Sequence, residues 1–320
     1  MIRSKKTIAS ALLLSLYFLG ICSYPILRMA KRHVIHADSD PASRYTFDKA
    51  GRLASDDQKF AIPCPRQTDR TAVLLLFGQS NAGNHGGQRF HSEHGDKVVN
   101  FFNGQCFAAA SPLLGSDGTR GEYWTQLGNL LIDDGAYDQV VLAPVSISGS
   151  QISRWSPGGD LNGIMVGTAT QLRQNNYHIT QALWDQGEMD YVIGTSEITY
   201  YREFISLVGS LRDQVTAPIF VTVASKCLEA ENGGTRYHSA DNPIARAQLA
   251  LPITQKGIKT GVNTDALLDS FDRYDDCHIS ASGSHKTAKA WAALIEADGR
   301  GGDSGIARRV SQRSTFLLSR

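Results

Sequence analysis

Val73-Leu74-Leu75-Leu76-Phe77-Gly78-Gln79-Ser80-Asn81-Ala82-Gly83-Asn84 decides the fold. Its first half is an unbroken apolar run opened by a β-branched residue, too short for a buried helix and closed by Gly78. It reads as a central parallel strand. The polar half is a turn, so Ser80 falls just past the carboxyl end of a buried strand, where open α/β sheets keep their ligand crevice.

A serine hydroxyl becomes a nucleophile when a base takes its proton, and the base needs a carboxylate to orient it. Both occur in Arg273-Tyr274-Asp275-Asp276-Cys277-His278-Ile279-Ser280. Asp275 stands three residues before His278, so one turn of chain sets its carboxylate beside the imidazole, accepting from Nδ1 and leaving Nε2 for the serine. Asp276 competes for this role, but the D-x-x-H register favours Asp275. The expected catalytic set is Ser80, Asp275 and His278. Taken singly, Ser80 is also a good helix N-cap, and His278 is also an ordinary core or surface histidine; their combination favours chemistry.

A third segment lies between them, Trp184-Asp185-Gln186-Gly187-Glu188-Met189-Asp190. With these three segments in this order, the chain resembles the SGNH or GDSL-like hydrolases, specifically the sialate O-acetylesterase-like carbohydrate esterases. The resemblance spans roughly residues 71–295. It implies a serine esterase that removes acetyl groups from a carbohydrate, sialic acid or an acetylated polysaccharide. Asp185 departs from the family, which more often has His or Tyr before Q-G-E.

Ester hydrolysis by serine passes through a tetrahedral oxyanion that preorganised donors must meet. Three are expected: the N–H of Ser80, with a helix start behind it; the N–H of Gly149, which no side chain shields; and the side-chain amide of Gln186. In the resembling family a glycine and an amide side chain of later blocks act in this way, which implies Gly149 and Gln186 here. Glu188 is an auxiliary or alternative acid for His278, or, with Asp190, a loop former bonded to backbone N–H groups. Gln79 and Asn81 beside the nucleophile, and Arg154 and Trp155 past Gly149, are candidate substrate-binding residues; Trp155 is equally suited to stacking on a sugar or to buried packing.

Outward from the first strand, further strands are expected at residues 97–103, 139–145, 179–184 and 218–224, with helices at 122–134, 161–174, 196–212, 242–251 and 285–296. This alternation implies an α/β, flavodoxin-like three-layer αβα sandwich with a five-stranded parallel sheet ordered 2-1-3-4-5, the SGNH hydrolase fold. Ser80 and Gly149 then end the two strands at the switch point. His85, His91 and His94 lie on a loop without a matching carboxylate pair and do not read as a metal site. No phosphate-binding glycine loop is present. The chemistry calls for no metal or cofactor.

The chain has 320 residues, 42% of them hydrophobic, and a net charge of +1. That is enough for one sizeable core, and the charge lacks the basic stripe of a nucleic-acid binder. Residues 7–27 form a charge-free apolar run flanked by Arg3, Lys5 and Lys6 and by Arg28, Lys31 and Arg32, read as a signal peptide or a single membrane anchor within residues 1–30. A linker or loose lead-in at 31–70, the hydrolase domain at 71–299 and a flexible basic tail at 300–320 complete the division. Outside the apolar run, Cys64, Cys106, Cys227 and Cys277 allow two disulfides, with Cys64–Cys106 and Cys227–Cys277 favoured, or four free buried thiols. Disulfides fit an exported protein, periplasmic, extracellular or anchored facing outward. Two other functions remain open: an O-acetyltransferase using the same triad, recognised by acetylated glycan rather than acetate as product, and a non-catalytic carbohydrate-binding protein, recognised by failure of Ser80 to react with a phosphonate.

Overall fold

A computed structural model describes residues 44–227 and 239–315, with the backbone alone from 300 onward. The apolar run at 7–27 lies outside the described residues; among these, no helix is long and apolar enough to cross a membrane.

The strands are β1 (Tyr45–Phe47), β2 (Leu53–Asp56), β3 (Ala61–Ile62), β4 (Thr71–Gly78), β5 (Val98–Phe102), β6 (Gln105–Ala108), β7 (Gln139–Ser146), β8 (Gln181–Asp185), β9 (Ile219–Val223) and β10 (Ile258–Asn263). The helices are α1 (Trp124–Asp133), α2 (Asn162–Gln174), α3 (Glu188–Ile193), α4 (Glu197–Leu211), α5 (Pro243–Thr254), α6 (Thr264–Leu267) and α7 (Ala281–Thr315). Strands β10-β9-β8-β4-β7-β5-β6-β3 form one sheet, parallel from β10 to β5 and antiparallel over β6 and β3.

β4 is buried along its whole length, and its alternating side chains build two cores. Leu74 and Leu76 face Trp124, Leu127 and Trp291 of α1 and α7. Leu75 and Phe77 face the other layer with Trp184, Phe204 of α4 and Ala247 of α5. The sandwich of three layers expected from the strand–helix alternation is therefore present.

In the expected numbering the order is 2-3-1-4-5 rather than 2-1-3-4-5, with β10 added as a sixth parallel strand. Pro144 accounts for the exchange. Ile147 N–H bonds the Gly78 carbonyl on the β4 side, whereas the Ser146 carbonyl accepts from Asp117 N–H on the other side. Alternation puts the missing N–H of Pro144 on that second side, where a full-length parallel neighbour would find a gap in the ladder. β5 fits there because its pairing with β7 ends at Asn100↔Leu142, and β8 pairs with β4 instead.

Two boundaries differ from the sequence reading. Residues 45–62, assigned to a lead-in, carry β1 to β3: Leu53 packs with Phe102, Phe107 and Leu114, and a Cys64–Cys106 disulfide fastens the edge. At the other end α7 continues to Thr315, through residues assigned to a tail.

Candidate active site

Register carries Gly78, Ser146 and Asp185 into one row at the carboxyl edge of the sheet. Three loops leave from that row. Gly78 adopts φ 150°, and a Cβ there would lie 1.9 Å from the Asp185 carbonyl oxygen. Only glycine lets β4 end this close to β8. The Asp185 carbonyl then accepts from Gln79 N–H at 3.1 Å, and Ser80 opens a short 3-10 turn, 3% exposed.

The D-x-x-H segment closes on itself. His278 Nδ1 lies 2.7 Å from Asp275 Oδ2, and Asp275 Oδ1 accepts from His278 N–H at 2.7 Å and from Cys277 N–H at 3.1 Å. Burial works to raise the Asp275 carboxyl; its bond to His278 and these N–H groups outweigh burial and hold it below the usual value. The imidazole packs near-parallel to His85 at 5.5 Å and to Tyr274 at 5.8 Å, and the Arg120 guanidinium lies over the Tyr274 ring. A Cys227–Cys277 disulfide holds the segment from outside, so both favoured pairings are found.

Asn81 joins the serine turn to this segment. Its Nδ2 donates to Glu188 Oε1 at 2.6 Å and to the Cys277 carbonyl at 3.3 Å, while its Oδ1 accepts from Ile279 N–H at 3.1 Å. The residue after Ser80 thus grips the residues on both sides of His278. Both amide hydrogens and the amide oxygen are engaged within the protein in a side chain only 5% exposed, which corrects its reading as a substrate contact.

Ser80 N–H and Gly149 N–H meet no acceptor among the described residues. Gly149 is exposed at φ 63°, and a Cβ at that position would meet nothing within 4 Å. Asp117 fixes its loop by accepting from Ser148 N–H at 2.7 Å. Gln186 differs from expectation. It is fully buried, and its amide gives its two hydrogens to the Ser150 carbonyl at 3.0 Å and to Asp190 Oδ2 at 2.5 Å. No hydrogen is left for an oxyanion; Gln186 fastens the Gly149 loop to α3 instead.

Two other expectations are revised in the same way. Glu188, 2% exposed, meets Asn81 rather than His278, whose hydrogen-bonded carboxylate is Asp275. Trp155 is fully buried, edge-on to Trp184 at 5.4 Å, with its indole N–H on Ser150 Oγ. Arg154 pairs through Nε and Nη2 with both oxygens of Asp160 and stays 35% exposed. Gln79 is 3% exposed, and Met189 N–H bonds its Oε1 at 3.1 Å, which fixes the amide beside Ser80. Sequence reasoning missed His85 and Tyr274 as neighbours of His278. Only the closeness of Tyr274 to Asp275 and of His85 to Asn81 along the chain could have signalled them. Among the described residues no cluster of three or more His, Cys, Asp or Glu could hold a metal ion.

Among solved structures, a protein from Arabidopsis thaliana is similar with a TM-score of 0.54 and 19% identity over 71% of this chain and 97% of its own. NanS gives 0.49 and 16% over 73% and 98%, and a family 3 carbohydrate esterase from Clostridium thermocellum 0.43 and 16% over 72% and 99%. No curated protein matches the sequence. The family described as carbohydrate esterase, sialic acid-specific acetylesterase, matches residues 70–296. That span holds all three loops of the crevice, and the chain belongs to this family of carbohydrate esterases: it is an acetylesterase, a carboxylic ester hydrolase.

Proposed function

We propose that the chain removes O-acetyl groups from a carbohydrate through an acetyl-enzyme on Ser80. The observation that carries this reading is the grip of Asn81 on both neighbours of His278, which sets the serine turn against an Asp275–His278 pair bonded at 2.7 Å. His278 Nε2 takes the Ser80 proton as Oγ attacks the acetyl carbonyl. The oxyanion collects the N–H groups of Ser80 and Gly149. As the intermediate collapses, His278 returns the proton to the sugar oxygen, and the deacetylated sugar leaves. A water then attacks the acetyl-enzyme with His278 as base, releasing acetate and restoring Ser80. Asp275 keeps the imidazole in the required tautomer and stabilises its charge.

The family description favours an acetylated sialic acid as substrate. Export is part of the same proposal: two disulfides are at home in an oxidising compartment, and the apolar run at 7–27 would direct or anchor the protein there.

The test is acetate release from p-nitrophenyl acetate and from acetylated glycans by the wild type and Ser80→Ala. The wild type is expected to release acetate and the variant to lose at least ~10³-fold in kcat. A folded wild type that is inactive on every ester, or a variant as active as the wild type, overturns the reading. Acetylated glycan formed in place of acetate would make the protein a transferase.

A further inference from the structure

Beneath the serine turn lie two carboxyl groups that the mechanism does not use. Asp185 is fully buried and Glu188 is 2% exposed. Each has one oxygen engaged: Asp185 Oδ2 accepts from Tyr123 Oη at 2.6 Å, and Glu188 Oε1 accepts from Asn81 Nδ2 at 2.6 Å. The other oxygen of each, Asp185 Oδ1 and Glu188 Oε2, is buried without a partner. An ionised carboxylate can only accept hydrogen bonds, so two of them here would leave two acceptors unmet and two like charges out of water.

The charged groups that face the pair do not balance it. From the 273–279 segment comes Arg273, 2% exposed, whose Nη1 donates to the Cys277 carbonyl at 2.6 Å and whose Nε is itself without a partner. From α6 comes Asp265, a further negative charge. The start of α1 and α4 contribute the neutral phenols Tyr123 and Tyr200, and α3 itself carries Asp190. Two carboxylates against one guanidinium leave an excess negative charge in a dry interior, which proteins avoid by taking up a proton.

We propose that Asp185 and Glu188 hold one proton between them in the working enzyme, and that neutral Glu188 is a positioning residue which, through Asn81, keeps His278 in line with Ser80. A proton on Glu188 Oε2 turns an unmet acceptor into a donor and removes one of the two buried charges, while Oε1 continues to receive Asn81. Removing it sets two buried like charges against each other, and Glu188 and Asn81 are displaced with them. Burial first, and then the charge of Asp185, push the Glu188 carboxyl up to about 7, in keeping with this arrangement.

The inference rests on the triad reading above, and its test separates the two. Glu188→Gln places a neutral amide where the acid stands, with Oε1 still available to Asn81. Expected results are a fall of about a hundredfold in kcat for Glu188→Ala, its rescue in Glu188→Gln, and an alkaline limb of kcat/KM that moves to higher pH in Glu188→Gln. A pH profile identical to that of the wild type, or a Glu188→Gln enzyme as slow as Glu188→Ala, overturns the proposal. An infrared difference between wild type and Glu188→Gln at neutral pH, without substrate, reads the proton directly: a neutral-carboxyl band in the wild type is expected, and its absence overturns the shared proton. Should Glu188→Gln not fold, Asp185→Asn supplies the same infrared comparison. A wild type that shows the band yet hydrolyses no acetyl ester would sink the triad reading and leave the proton in place.

Discussion

At the scale of single residues, the site is held by two kinds of contact, one closed within a few positions of chain and one that spans the molecule. Asp275 and His278 are three apart, so their pairing follows from the geometry of one turn. The partners of Asn81 lie 107 and 198 residues away, and nothing local distinguishes a substrate-binding amide from one that clamps two loops. The same limit applies to Gln186, whose amide is consumed by Ser150 and Asp190. Asn81→Ala removes the clamp without touching Ser80, Asp275 or His278, the groups proposed to react. It is expected to lower kcat by about a hundredfold, the cost of roughly an ångström of misplacement, and to change KM for the acetylated glycan far less. An unchanged kcat would show that Ser80 and His278 are aligned by other contacts.

Among the elements, strands with continuous apolar runs were legible and half-exposed ones were not. Ile258–Asn263 buries only part of its length, so its pattern gives neither a clean alternation nor a full apolar run, and β10 carries no signal in the sequence. The short antiparallel edge of β6 and β3 is hidden for the same reason. Trp155 shows how packing decides what composition leaves open. It stands between the loop after β7 and Trp184, buried on every side. Trp155→Ala should therefore lower unfolding free energy by about 3–5 kcal/mol in urea titrations. An unchanged urea midpoint together with a raised KM would return Trp155 to the sugar site.

For the molecule as a whole, the domain and its disulfides are legible in the sequence, because motifs and cysteines are discrete marks. The beginning of the domain is not, because β1 to β3 are short and stabilised chiefly by what they pack against. The buried acids also leave a mark on the stability of the whole fold. The Glu188 carboxyl moves from 4.5 to about 7 and that of Asp185 from 3.8 to about 6. Groups raised on folding stabilise the native state below their unfolded values and lose that contribution as pH climbs through the folded ones. Asp56, Asp272 and Asp275, held below the usual range, act with the opposite sign, and their contribution is complete by about pH 5. From about pH 5 to pH 8 the melting temperature is thus expected to fall, and to fall less steeply in Glu188→Gln; equal slopes would refute this account. The distance between Asn81 and Ile279 has a last consequence. A ribosome delivers the serine long before the histidine, so on the proposed mechanism an unfinished chain carries a nucleophile with no base. Hydrolysis begins only when both ends of the domain have been made and brought together, and activity is itself the signal that synthesis and folding are complete.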